Sequence, residues 1–184
     1  MTIHKKSALK TRKCVKVLQS LPETDIVYLA GLIDGEGTIS LRKMQNKQLR
    51  NFRLYPILEI VNTDELLISW LTQIFWQKAV EARNGDGRRY LRVHLTGFGI
   101  APFLERLEPY LVAKKLQSQL VRKYIHLRRS QRWKEPPSPE MTEIYKDVRL
   151  LNSVGTGSRQ LKESVRKKYS TTLPQPRIIL LPTE

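Results

Sequence analysis

Two carboxylates end an apolar run. Tyr28-Leu29-Ala30-Gly31-Leu32-Ile33 leads into Asp34-Gly35-Glu36-Gly37, so a pair of acids is crowded at a glycine-rich terminus. The surrounding 184-residue chain is strongly cationic, with 33 Lys+Arg against 17 Asp+Glu and a formal net charge of +16. Acids mounted on so basic a protein fit a cation held against something polyanionic. An isoelectric point near 10.2 favours nucleic acid over acidic small molecules, although ribosomal and membrane-surface proteins share the signature.

Charge placement narrows the reading. The first 22 residues carry Lys5, Lys6, Lys10, Arg12, Lys13 and Lys16 and no acid. Between Pro109 and Lys134 there is again no acid, but Lys114, Lys115, Arg122, Lys123, Arg128, Arg129, Arg132 and Lys134 are present. A merely solvated helix face mixes both signs, so these one-sign stretches point to phosphate contact. Other chemistries find no support. Cys14 is the single cysteine, which excludes a disulfide framework, and His4, His94 and His126 lack zinc-ligand spacing. The basic N-terminus has no signal-peptide core, and the longest apolar run, Ile26–Ile33, is too short for a bilayer. These features predict a soluble intracellular protein, in a prokaryotic cytoplasm or an organelle, with no membrane partner.

The elements that must carry these residues follow from periodicity. Pro22 and Thr24 precede Asp25 as the start of a helix running to about Asp34. Ile26, Leu29 and Ile33 form its core-facing stripe; Val27, Ala30, Gly31 and Asp34 form a second face that is nearly bare of side chain. Such a bare stripe lets another backbone approach closely. After Gly37 the period becomes two: Thr38, Ser40 and Arg42 alternate with Ile39 and Leu41. Beyond a polar hairpin around 46–51, Arg53, Tyr55 and Glu59 alternate with Leu54, Leu58 and Ile60, and Pro56 marks a bulge or an edge. A helix over Leu66–Trp76 precedes a second hairpin, Val80–Arg83 and Arg88–Thr96 about Asn84-Gly85-Asp86-Gly87. Helices over Ile100–Leu111, Lys115–Arg132, 140–152 (capped by Ser138, with Pro139 first) and up to Tyr169 complete the pattern. The fold class is α+β, in the order αββαββ with further helices.

Four strands that each offer one apolar face to helices leave the opposite face for something polar. Arg42, Arg53, Tyr55, Arg83, Arg88, Tyr90 and Arg92 are assigned to that face, which makes it a candidate nucleic-acid groove. Arginine reads guanine bidentately in the major groove, and a β-ribbon fits there.

The decapeptide YLAGLIDGEG resembles the signature of the LAGLIDADG homing endonucleases, in the form with one motif per chain. The likeness continues in Leu58-Glu59-Ile60-Val61-Asn62-Thr63-Asp64, similar to the end of the family's second strand. Leu107–Gln117 is similar to the segment with its active-site lysine, and Ser138–Tyr169 to the C-terminal helices of single-motif members. The resemblance covers about residues 21–170, leaving a basic arm, 1–20, and a tail, 171–184.

The resemblance implies an αββαββα fold whose antiparallel four-stranded saddle straddles double-stranded DNA, with extra C-terminal helices. It implies a homodimer joined through the motif helices at Val27, Ala30, Gly31 and Asp34, and so a long, roughly palindromic DNA site. The implied activity is intron homing: Mg²⁺-dependent hydrolysis of one phosphodiester in each strand, leaving 3′ overhangs, with Mn²⁺ as a substitute metal. Glu36 matches the metal-binding acid, where most relatives carry Asp, and the Gly35 carbonyl is implied as a further ligand. Asp34 is implied as structural, satisfying backbone donors where two motif helices meet. Asn62 matches the residue that orients the attacking water, although Asn62-Thr63-Asp64 also reads as a helix cap. Lys114 matches the lysine that stabilises the transition state, with Lys115 as runner-up and a phosphate clamp as the plainer role. The family often carries a basic residue where Leu66 stands here, so Arg92 or Arg42 are substitutes for that part of the solvent network. Two other functions share the scaffold: an RNA-splicing maturase and a non-catalytic DNA-binding regulator. Glu36 argues against the regulator, because a carboxylate facing phosphate costs a pure binder roughly 1 kcal/mol or more.

Overall fold

A computed structural model of the chain describes residues 13–46, 51–132, 135–154 and 158–170. The tip of the first hairpin (47–50), the first twelve residues of the expected arm, the 155–157 loop and the expected tail from residue 171 lie outside the described residues.

A first helix, α1, covers residues 13–20, and the motif helix that follows it organises the rest. Helix α2, Glu23–Glu36, begins at Pro22, whose extended backbone (φ −63°, ψ 156°) serves as N-cap, and Glu23 and Asp25 place negative charge on its positive end. It is longer than expected at both ends, and at its C-terminal end Lys114, from another element, meets the last turn. The Lys114 ammonium donates to the carbonyls of Ile33 (2.9 Å), which also accepts from the Gly37 N–H, and of Asp34 (2.5 Å). Gly37 closes the helix and starts strand β1 in contact with it. A Cβ there would lie 2.7 Å from Ile33 Cα and 2.9 Å from Ile33 O, so only glycine fits.

Four antiparallel strands follow: β1 Gly37–Asn46, β2 Asn51–Asn62, β3 Val80–Arg83 and β4 Arg89–Thr96, in the order β1-β2-β4-β3. Pro56 makes no bulge. It sits opposite Leu41, one residue before the β2–β4 ladder begins at Ile57–Thr96, so a missing N–H costs that ladder nothing. Ile39, Leu41, Leu54, Leu58, Ile60, Val93 and Leu95 are buried on the sheet's inner face. Against them pack α2 (Ile26, Leu29, Ala30, Ile33), α3 Glu65–Phe75, α4 Ala101–Leu107, α5 Lys115–Ser130 and α6 Pro139–Leu151. Phe75 and Phe103 meet edge to face at 5.5 Å, and the Tyr124 hydroxyl ties α5 to the Leu54 carbonyl at 2.6 Å.

Two expectations need correction. The helix expected over Ile100–Leu111 is a 3₁₀ turn, Gly97–Ile100, plus the short α4: Glu108 keeps helical backbone (φ −55°, ψ −37°), but Pro109 has no N–H to donate to the Glu105 carbonyl, and the ladder ends there. Part of the expected arm belongs to the domain. Cys14 and Leu18 of α1 are buried in the core, while the Arg106 guanidinium donates to the carbonyls of Leu18 and Leu21. At the other end, buried Asp147 on α6 accepts from Lys168 and Tyr169, each at 2.8 Å, and fastens helix α7, Ser158–Tyr169.

Candidate catalytic centre and nucleic-acid interface

The two acids of the motif point to different tasks. Asp34 is consumed inside the chain: its carboxylate accepts from the backbone N–H groups of Val112 (2.6 Å), Ala113 (3.1 Å) and Lys114 (2.8 Å). It fixes the loop leading into α5 and brings Lys114 back onto the end of α2. Asp34 therefore satisfies backbone donors as expected, but they belong to this loop and not to a second motif helix. Burial holds the Lys114 ammonium below the ordinary lysine value, against the opposing pull of Asp34.

Glu36 is exposed on the last turn of α2 and makes one side-chain contact, accepting a hydrogen bond from the Asn62 amide. Asn62 is itself aimed. Its Oδ1 accepts from the Asp64 N–H (2.9 Å), and Asp64 Oδ1 accepts from Leu67 N–H (2.8 Å) as the cap of α3. The turn chemistry that starts α3 thus sets the Asn62 amide with its N–H₂ toward Glu36, so the helix-cap reading and the site reading describe one arrangement. Gly35 is exposed beside them, in the turn where helix carbonyls lack intrahelical partners. Among the described residues no group of three or more His, Cys, Asp or Glu could enclose a metal. A carboxylate with one uncommitted oxygen, next to open helix carbonyls, suits a hard cation that keeps most of its waters.

The register decides which residues share the sheet's outer face. Arg42 lies opposite Tyr55, Met44 opposite Arg53, Glu59 opposite His94, and Val61 opposite Arg92. Tyr90 and Val80 continue the same face across β3, opposite Ala82 and Arg92 respectively. Glu59 lies between two arginines, 3.7 Å from Arg42 Nη2 and 3.5 Å from Arg92 Nε. The partly buried imidazole of His94 is held below the ordinary histidine value by desolvation, with Glu59 opposing and Arg92 and Arg42 assisting.

No family model matches the chain, and no curated protein does. Solved structures do. One is the homing endonuclease I-CvuI in complex with a DNA target in the presence of Mg (TM-score 0.59, 20% identity, 82% of this chain and 98% of that one). Another is the archaeal intron-encoded homing endonuclease I-Vdi141I complexed with DNA (0.57, 14%, 81% and 98%). A third is the LAGLIDADG homing endonuclease I-LtrWI bound to target DNA (0.55, 15%, 86% and 53%). This chain has the LAGLIDADG endonuclease fold.

Within the LAGLIDADG fold most expected residues fall together, and several do not. Glu36, Gly35 and Asn62 converge. The Lys114 ammonium reaches the α2 carbonyls and makes no contact with Glu36, and Lys115 opens α5. Arg42, Arg53, Tyr55, Tyr90 and Arg92 share the outer face, with Arg88 in the turn that feeds it. Arg83 is corrected: it pairs with Arg89 on the opposite face and donates to the Gly87 carbonyl at 3.1 Å. Counting residues along one strand could not show this, because the face of β3 is set by its pairing to β4. Of the expected dimer stripe, Val27 and Gly31 are exposed, whereas Ala30 is fully buried in the chain's own core and leaves the stripe. Tyr28 joins it instead, exposed and edge-on to Trp70 at 5.4 Å. Leu66, where a basic residue was expected from the family, is 84% exposed on α3. No helix among the described residues is long and apolar enough to cross a membrane.

Proposed function

We propose that this chain is a site-specific, Mg²⁺-dependent DNA endonuclease that works as a homodimer, cutting both strands of a long pseudo-palindromic site and leaving 3′ overhangs. The observation that carries the proposal is the division of labour between the acids. Asp34 is spent on three backbone N–H groups, while Glu36 is exposed and held by an oriented amide.

Glu36 and the Gly35 carbonyl would hold the cation. Mn²⁺ shares this preference for oxygen and substitutes. Mg²⁺, when bound, lowers the pKa of a water and neutralises charge on the leaving oxygen. Asn62 spends one amide N–H on Glu36 and keeps the other to fix the attacking water or a phosphate oxygen. Lys114 has three N–H donors, of which the carbonyls of Ile33 and Asp34 take two; the third faces charge that develops on the phosphate. The arginine-bearing sheet face lies in the major groove and aligns the duplex. The setting is the cytoplasm of a prokaryote or an organelle, where intron homing takes place.

One chain offers one such centre, so two cuts require two copies. The exposed line Thr24, Val27, Gly31 and Gly35 along α2, with Tyr28 propped against Trp70 of α3 at its side, supports a helix-to-helix contact. The coverage of the similar structures agrees: this chain spans 98% of I-CvuI and 53% of I-LtrWI, as one unit and as half of a larger one.

The test is cleavage of a plasmid library of randomised duplexes by the purified protein with Mg²⁺. A discrete set of sequences is cut, and Glu36→Gln retains binding to that set while cutting none of it. Near-normal cutting by Glu36→Gln overturns the assignment.

A further inference from the structure

On the outer face of the sheet, three polar atoms are withheld from water and make no hydrogen bond, although two of them face each other as an ion pair. Glu59 Oε2, Arg92 Nε and His94 Nδ1 are all buried and make no hydrogen bond. The contacts of Glu59 with Arg42 and Arg92, 3.7 and 3.5 Å, are those of neighbouring opposite charges and too long for hydrogen bonds. The Glu59 side chain is 17% exposed and that of Arg92 31%. Buried groups of this kind are normally hydrogen-bonded, and a carboxylate and a guanidinium that only balance each other's charge keep hydrogen-bonding capacity for a bound partner. Glu59 is also the one acid among the described residues of that face, where each strand's alternate positions hold cationic, neutral polar or apolar residues. On a chain of net charge +16 that meets DNA phosphates, an acid in this place weakens general affinity.

We infer that Glu59 and Arg92 form a reader for a single G·C base pair in each half of the DNA site, with Glu59 as its specificity-determining member. This rests on the endonuclease reading above. The major-groove edge of a G·C pair offers two adjacent acceptors, guanine N7 and O6, and then the cytosine N4 amino donor. A guanidinium beside a carboxylate is complementary to that order: Arg92 donates to guanine and Glu59 accepts from cytosine. An A·T pair alternates acceptor, donor, acceptor and ends in a methyl group, so it presents an acceptor and an apolar group where the carboxylate needs a donor. The anion therefore does two jobs. It takes the cytosine amino group, and it repels any edge or phosphate that brings only acceptors. Arg42, on the other side of Glu59, balances its charge in the free protein.

The test is selection by binding from a randomised duplex library in EDTA, which removes cleavage from the readout. The wild-type protein selects a motif with a G·C-restricted position in each half. In Glu59→Gln, whose amide both donates and accepts, the preference at that position falls roughly tenfold or more while the other positions keep theirs. Affinity for unselected DNA rises several-fold in the same variant. Wild-type protein on modified DNA gives a second reading that needs no variant to fold: 7-deazaguanine, or N4-methylcytosine, which keeps the Watson–Crick N–H and puts a methyl group in place of the major-groove one, weakens binding at that pair, and the same bases elsewhere in the site do not. A Glu59→Gln motif identical to the wild-type motif, or indifference to the modified bases, overturns this inference and leaves the endonuclease reading standing. Failure of the wild-type protein to select any sequence counts against both.

Discussion

Asp34 and Glu36 stand two positions apart in one helical turn, yet the fold gives one to the architecture and the other to the surface. The difference is direction: Asp34 faces the 112–114 loop and receives three N–H groups, whereas Glu36 faces the start of α3 and receives one amide. Asp34→Ala is expected to lower stability by about 1–3 kcal/mol, because the stranded loop donors at this part-exposed site recover only some of their bonds from water. Glu36→Ala should change the urea midpoint little. Equal destabilisation by the two would show that the acids are not divided as described. Asn62→Ala keeps the Glu36 carboxylate, proposed above to hold the metal, but removes its orienting amide. A drop of about tenfold to a hundredfold in cleavage rate, with DNA affinity preserved, is the expected result in a single-turnover assay. That one acid would be structural was legible from the sequence. Its partners were not, since they lie 78 to 80 residues away and are brought there only by tertiary packing.

At the scale of elements, the glycines within α2 and at its end have opposite meanings. Gly37 is enclosed by the backbone of Ile33, while Gly31 has nothing within 4 Å of where a Cβ would stand. Gly37→Ala must separate β1 from α2 and should cost about 1–3 kcal/mol. Gly31→Ala should stabilise the isolated helix by up to about 1 kcal/mol, yet weaken a dimer that uses this bare surface. Sedimentation and thermal melting together separate these effects; a Gly31→Ala protein that melts higher and remains fully dimeric would place the dimer contact elsewhere. Element type and order were readable from period alone, because 3.6- and 2-residue repeats are local properties of the chain. The β3 face was not, since Arg83 takes its side from its pairing with Arg89. The short α4 was half-readable: Pro109 was visible, but the apolar pattern running on to Leu111 outweighed it.

For the whole molecule, charge distribution and packing divide the N-terminal segment between them. Residues 1–12 hold Lys5, Lys6, Lys10 and Arg12, whereas 13–20 supply Cys14 and Leu18 to the core. Deleting 1–12 should weaken binding to all DNA sequences alike and flatten the dependence of log affinity on log salt by about 0.9 for each phosphate no longer neutralised. Deleting 1–20 should also lower thermal stability, since a buried leucine alone contributes about 2–5 kcal/mol. An altered base preference in the shorter truncation would show that the arm reads sequence. The sequence marked the whole stretch as basic; its apolar positions are too few to reveal in advance that residues 13–20 dock.

That docking leaves the protein with a built-in clock. Cys14 is the chain's single thiol, and in α1 it is sealed from solvent with its S–H directed at the Phe75 carbonyl. A thiol reagent can reach it only when α1 lifts away, so the rate of modification measures that opening without any mutation or label. Because α1 follows directly on the basic residues 1–12, duplex DNA that engages them should slow the reaction, turning one buried sulfur into a reporter of whether substrate has tightened the fold.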